Sequence, residues 1–435
     1  MSERRKTLLL YFCSFWLYLL SLFITGEFIL RVFHIDPPMK TFRGPDFFVE
    51  HDALLGWKKI PNKRGQLVAE EYTTSERLNS KGLRGPEYSY KKTTNEYRIL
   101  ALGDSFTEGY TVDFDQVFSE VLKRRLNHKK DRYYEVINAG TFAYGTDQEY
   151  LFFKEEGKKY HPDLTILMFF ANDVWDNYKE GWCKPRFKVG EDHQLILTKN
   201  PCSKTAIPPS PPRPTIVGTS RSPLLPRTKD WLAAQFWVYR FITDTIRKTY
   251  VHDLAVRIRL AEEPAAKEPP QTPIQITRAV VPIPEEYRVW EKTYNNQVRE
   301  GWKITEAIIN ELKKETASVG SNFLVFYIDP QRSIYDEIWQ DFKSQFGITD
   351  EDWNRDQVKI ELEGACNRNH IDFIDSTEQF RMAASRLRRE HSRLYFLKDG
   401  HWNANGHKLA GELLAEYIDS HYLNLKVLNR KISSL

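Results

Sequence analysis

Arg98-Ile-Leu-Ala-Leu-Gly-Asp-Ser-Phe-Thr-Glu-Gly-Tyr110 is the stretch whose reading decides the fold. Residues 99–102 form an apolar run too brief for a helix and suited to a buried parallel strand. Gly103, Asp104 and Ser105 then break the run. A serine delivered at the C-terminal end of such a strand sits where open α/β sheets place their chemistry. Gly-Asp-Ser is also ordinary turn composition, so these residues alone leave a strand-end turn with a capping serine open.

The flanking chain repeats the pattern. Residues 112–127 read as an amphipathic helix with Val117, Val121, Leu122 and Leu126 as its buried stripe. Residues 134–137 form a second short strand ending in Asn138-Ala-Gly140, residues 150–160 a helix, and residues 164–170 the strongest strand, ending in Ala171-Asn172-Asp173. The rhythm stops near Asn177 and resumes near Val298, with a helix over 302–316, strands over 323–328 and 371–374, and a last helix over 404–417 that turns Leu409, Leu413 and Leu414 inward. Strands alternating with helices, each strand ending in polar or Gly residues, predict a doubly wound, flavodoxin-like sheet of five parallel strands.

Between the two halves, residues 178–297 form an insertion. A hairpin is expected over 186–197, Pro-rich loops over 201–226 and 262–284, and an aromatic amphipathic helix over 231–258. That helix could be a lid, a membrane-surface contact or the insertion's own core. Residues 34–95 carry turn signals and no helical period, and read as an irregular lead-in.

At the N-terminus Arg4, Arg5 and Lys6 precede a charge-free run over 7–26, about the twenty residues needed to cross a bilayer. Basic residues on that flank predict a cytoplasmic start and place everything after the helix outside the cytoplasm. No small-x-small cleavage site follows the run, which favours an uncleaved signal anchor over a signal peptide. Glu27 and Arg31 stand at i, i+4, spaced to pair on a continuing helix. The net charge of +4 over 435 residues gives no case for nucleic acid. Of the four cysteines, Cys183 and Cys202 would close a loop of about twenty residues, worth roughly 3 kcal/mol if bonded. No metal-ligand spacing and no cofactor motif is read from the chain. The expected organisation is an anchor over 1–34, a lead-in over 35–95 packing on the sheet domain, that domain over 96–177 and 298–422, the insertion, and a tail over 423–435.

Ser105, Gly140 and Asn172 at strand ends, with Asp399-Gly400-His401 before the last helix, resemble the four blocks of the SGNH (GDSL-type) hydrolase superfamily. The resemblance covers residues 99–177 and 323–417. It implies that Ser105 is the nucleophile, His401 its base and Asp399 the residue that orients His401. It also implies an oxyanion hole from the backbone N–H groups of Ser105 and Gly140 and the side-chain amide of Asn172. Two departures stand out. One residue instead of the usual two separates Asp399 from His401, so a rival reading has Asp399 capping the last helix while a backbone carbonyl orients the ring. Phe170 also stands where the family often has Gly, which would narrow the acyl pocket. Asp104 is expected to hold the turn, and His407 to lie on the last helix's surface or packing face.

Asp-Gly-His-Trp402 also resembles the block of membrane-associated O-acetyltransferases acting on exopolysaccharides. The same triad serves an esterase and a transferase, which differ in how well the site excludes water. The expectation is a membrane-anchored ester hydrolase acting on an acylated carbohydrate or lipid, with an O-acetyltransferase as the alternative and a silent binding module as the third reading.

Overall fold

Five short apolar runs become five parallel strands: β1 Glu96–Gly103, β2 Tyr133–Asn138, β3 Leu164–Phe170, β4 Asn322–Ile328 and β5 Asp372–Ile374. The computed structural model describes residues 3–33, 41–179, 183–192, 194–198, 236, 238 and 282–423. The strands lie in the order β2-β1-β3-β4-β5 with every pairing parallel, the expected flavodoxin-like arrangement.

Alternation along the strands builds both faces. Leu100, Leu102, Ile137, Leu167, Phe169 and Val325 enter one apolar cluster with the helices Thr146–Glu155, Asn296–Ser318 and Gln357–Arg368. Ile99, Ala101, Val136, Ile166, Met168 and Phe326 enter the other, with Phe118–Asn127, Thr377–Arg389 and Ala404–Ile418. Each fully buried Leu or Ile contributes roughly 1.5–3 kcal/mol. Two covered faces explain why the strands read as continuous apolar runs. β1 is longer than its apolar stretch because Arg98, though buried, is satisfied by Glu96 at 2.5 Å and by the carbonyls of Ser89 and Tyr160.

Several boundaries differ from expectation. The helix expected over 112–127 begins at Phe118, since Val117 has extended backbone and Phe114–Gln116 is a separate 3-10 turn. The one expected from residue 150 starts at Thr146, and the one expected from 302 starts at Asn296, where Asn295 accepts from the Val298 amide. The lead-in is not irregular. Its strand Arg64–Val68 pairs with Thr41–Phe42 and Thr73–Arg77, and Val49–Asp52 pairs with Gly56–Lys59. These strands are short and polar, with the inward charges Lys59 and Glu76 paired to Glu108 and Arg84, so no apolar alternation marks them.

The chain divides into two compact units, one of Met1–Lys40 with Pro212–Ile276 and one of Thr41–Pro211 with Thr277–Leu435. In the first, Glu3–Val32 is one continuous helix whose segment Leu10–Val32 has a mean hydropathy of 1.7, long and apolar enough to cross a membrane. The anticipated Glu27–Arg31 pair forms at 2.7 Å. Phe236 packs edge-to-face on Phe23, 5.4 Å between centroids. The rest of the expected 231–258 helix, the Pro-rich loops and the tail from residue 424 lie outside the described residues. The expected hairpin is present as Arg186–Val189 paired with Leu195–Thr198, and Cys183 is disulfide-bonded while Cys202 lies outside the described residues.

Candidate active site

β1 ends at Gly103 and the chain turns at once into the short helix Ser105–Glu108. Asp104 caps it, its carboxylate accepting the Phe106 amide at 2.9 Å. Burial first, against the nearby His401, pushes the Asp104 carboxyl up to about 7. Beneath the helix, the lead-in supplies a buried charge cluster. Lys59 pairs with Glu108 at 3.3 Å and Arg84 with Glu76 at 2.8 Å, while Arg84 also donates to the carbonyls of Glu108 and Val112. The turn that presents Ser105 is therefore clamped from below.

His401 arrives on a tight loop before the last helix. Ser105 Oγ lies 2.8 Å from His401 Nε2, and His401 Nδ1 lies 2.7 Å from Asp399 Oδ1. The imidazole is flanked by Phe106 and Tyr110, with ring centroids at 4.5 and 5.3 Å. Trp402, wholly buried beside Phe380, anchors the loop. One residue suffices between Asp399 and His401 because Gly400 takes a left-handed φ of +85°, folding the two side chains together. Burial works to raise the Asp399 carboxyl, but the hydrogen bonds and charge of His401, with the Tyr72 hydroxyl, hold it below the usual carboxylate range. Asn403, not Asp399, caps the last helix, accepting from the Asn405 and Gly406 amides.

Gly140 follows β2 and presses on the helix Ser105–Glu108 so closely that a Cβ there would lie 2.2 Å from the Glu108 nitrogen. Its N–H already donates to Asn138 Oδ1 at 3.0 Å, so donating to an oxyanion requires sharing or releasing that bond. The Ser105 N–H, in the first turn of its helix, has no intrahelical acceptor. Asn172, just past β3, donates one amide hydrogen to Asp176 at 2.9 Å, and its buried Oδ1 has no hydrogen-bond partner among the described residues. Phe170 packs on Phe106 at 4.5 Å and so joins the β3 end to the helix Ser105–Glu108. Around Asn172 the buried carboxyls of Asp147, Glu149, Asp173 and Asp176 are all pushed up by burial, with Lys184 paired to Asp147 at 3.0 Å.

His407 is buried against Phe118 and Trp402, and burial pushes its imidazole down to about 3, so it packs neutral. Sequence reasoning missed the lead-in's part. Tyr72 donates to Asp399 Oδ2 at 3.2 Å, and Glu71 accepts backbone amides from the same loop. No motif marks Glu71 or Tyr72, and more than three hundred residues separate them from their partners. Among the described residues no group of acidic, His and Cys side chains is placed to hold a metal.

No protein-family model and no curated protein matches the chain. Among solved structures, it is similar to a catalytic mutant of an acetylxylan esterase from Geobacillus stearothermophilus, with 10% identity over 74% of this chain and 94% of that one at a TM-score of 0.36. It is also similar to the acetyl xylan esterase AlAXEase, with 11% identity over 74% of this chain and 99% of that one at 0.35. A GDSL-like lipase from Bacteroides thetaiotaomicron gives 10% identity over 76% and 91% at 0.33. Overlaps this loose leave the functional reading to the chain's own geometry.

Proposed function

We propose that this chain is a membrane-anchored serine ester hydrolase of the SGNH type, acting on short acyl esters of a cell-envelope carbohydrate or lipid outside the cytoplasm. The observation that carries the reading is the continuous relay from Ser105 Oγ to His401 Nε2 at 2.8 Å and from His401 Nδ1 to Asp399 at 2.7 Å. Serine is a weak nucleophile until a base takes its proton. Ser105 Oγ bonds to the ester carbonyl carbon as its proton passes to His401 Nε2. The tetrahedral intermediate expels the alcohol, which takes that proton, and leaves an acyl-serine. Water, deprotonated by the same imidazole, then releases the acid and frees Ser105.

Asp399 holds the Nδ1–H tautomer and stabilises the imidazolium. The N–H of Ser105 is the oxyanion donor with the fewest competing partners, with Asn172 and Gly140 as the others. Losing one such donor typically costs about 3 kcal/mol of transition-state stabilisation. The apolar N-terminal helix and the basic Arg4, Arg5 and Lys6 before it support the anchor and its orientation.

The test is turnover of 4-nitrophenyl acetate and of an acetylated xylooligosaccharide by the detergent-solubilised full chain, with and without a non-acetylated oligosaccharide acceptor. Release of acetate at the same rate in both arms supports the hydrolase. Acetyl appearing on the acceptor instead of in solution assigns the same triad to transfer. No turnover of either ester refutes the reading.

A further inference from the structure

The catalytic loop is held from outside itself. Within residues 396–401 the backbone–backbone ties are Phe396 N–H to the His401 carbonyl at 2.9 Å and Gly400 N–H to the Phe396 carbonyl at 3.1 Å, beside the bonds of His401 to Asp399 Oδ1. The three amides between them point out of the loop, and one side chain takes all three. Glu71 accepts from Leu397 at 2.9 Å and from Lys398 and Asp399 at 2.8 Å. The next residue reaches further in. Tyr72 donates its hydroxyl to Asp399 Oδ2, the oxygen that His401 does not use.

Both residues sit in the turn joining strands Arg64–Val68 and Thr73–Arg77, closed by the Ala69 N–H to Tyr72 carbonyl bond at 2.9 Å. That hairpin is also fixed to the chain just after Ser105. Thr74 Oγ1 donates to the Tyr110 carbonyl at 2.7 Å, the Ser75 N–H to Asp113 at 3.0 Å, and Glu76 pairs with Arg84 below. One short hairpin therefore touches the nucleophile side at its base and the acid side at its tip.

We infer that Glu71 and Tyr72 are positioning residues that set the Asp399 carboxylate against His401, an inference that rests on the serine-hydrolase reading. The one-residue spacing makes this necessary. With Gly400 alone between acid and base, and no helix or strand to hold Asp399, its own segment holds only Oδ1, through the His401 backbone N–H at 3.3 Å and the His401 ring, and leaves Oδ2 without support. Glu71 supplies the loop's missing acceptors, and Tyr72 fixes the rotamer by binding the free oxygen. Burial, and then the Asp399 charge, pushes the phenol far up, which keeps it a donor across the working range.

Tyr72→Phe is the clean test, because the ring keeps its neighbours Phe396 and Tyr110 and only the hydroxyl is lost. In the detergent-solubilised full chain with 4-nitrophenyl acetate, kcat should fall about tenfold, the weight of one hydrogen bond to a charged group. KM should stay within about twofold and the melting temperature within about 2 °C. Glu71→Ala should lower kcat similarly, with Glu71→Gln, which keeps one acceptor oxygen, between it and wild type. In an Asp399→Asn background Tyr72→Phe should cost nothing further, since it acts through that carboxylate. An unchanged kcat in Tyr72→Phe, or the same tenfold loss in the Asp399→Asn background, overturns the inference. A serine-directed phosphonate separates the two levels. A wild type that labels at Ser105 while Tyr72→Phe labels and turns over at the wild-type rate refutes only the positioning role, and a wild type that does not label removes both.

Discussion

Replacing Asp399 by Asn separates a catalytic carboxylate from a structural one, and the contacts of Asp399 set the size of the effect. Oδ1 accepts from the His401 ring at 2.7 Å and from its backbone N–H at 3.3 Å, while Oδ2 accepts the Tyr72 hydroxyl at 3.2 Å. An amide can satisfy one side only. If its oxygen stays with Tyr72, its NH2 faces His401 Nδ1 and forces the ring proton onto Nε2, where Ser105 needs a lone pair. If its oxygen stays with Nδ1, the tautomer survives but the charge that stabilises the imidazolium is gone. Loss of the acid in a serine triad by Asn substitution costs about 10⁴ in kcat, or about 5 kcal/mol of barrier. Stability should change by under about 1 kcal/mol in both Asp399→Asn and Asp399→Ala, because Asn403 caps the last helix. The assay is steady-state hydrolysis of 4-nitrophenyl acetate beside thermal melts of the same preparations. Near-normal turnover in Asp399→Asn, or a melting loss confined to Asp399→Ala, would refute the triad role and restore the capping one.

Two other predictions test the surroundings. Gly400→Ala places a side chain at φ +85° with its Cβ 3.2 Å from Gln331 Nε2, the movable end of an amide. It should cost about 1–2 kcal/mol of stability and lower kcat by loosening the Asp399–His401 approach, and a variant matching wild type in both melts and rate would show that the loop tolerates another backbone path. Stability should also fall as pH rises from about 6.5 to 8. Burial holds Asp104 at about 7 and Asp329 at about 8 in the folded chain, above the ordinary carboxylate value. The native state then keeps protons that the unfolded state has released, so their contribution is full in acid and lost as pH passes those values. His407, held at about 3, acts in the opposite sense only below about 6.5, where an unfolded histidine gains its proton. Melting temperatures that rise across this window would contradict the assignment of buried neutral carboxyls.

The sheet was legible because its central strands are buried on two faces and polar or Gly residues follow each apolar run. Ile99–Ala101 and Leu100–Leu102 feed opposite clusters, which a sequence records as an uninterrupted apolar run. The last helix was legible to within a residue because Asn403 supplies its cap and Leu414 its inward face. Ser105, His401 and Asp399, which the resemblance singled out, stand together in the structure, and the single residue between the last two, a departure in sequence, became intelligible once Gly400 was seen in a left-handed conformation. The lead-in was not legible, because its internal residues are polar ones made internal by partners, Glu76 by Arg84 and Lys59 by Glu108. Glu71 and Tyr72 were invisible for a related reason, since their meaning lies in amides and a carboxylate contributed by residues 397–399. Helix starts were missed where a cap such as Asn295 precedes the apolar stripe by several residues.

The most direct test is mass spectrometry of the detergent-solubilised chain after reaction with a serine-directed fluorophosphonate. The account predicts one adduct, on the peptide containing Ser105, with labelling slowed strongly by His401→Ala and absent in Ser105→Ala. Labelling at another residue, or a wild type that stays unmodified while folded, would contradict the claim that Ser105 and His401 form a nucleophile and its base.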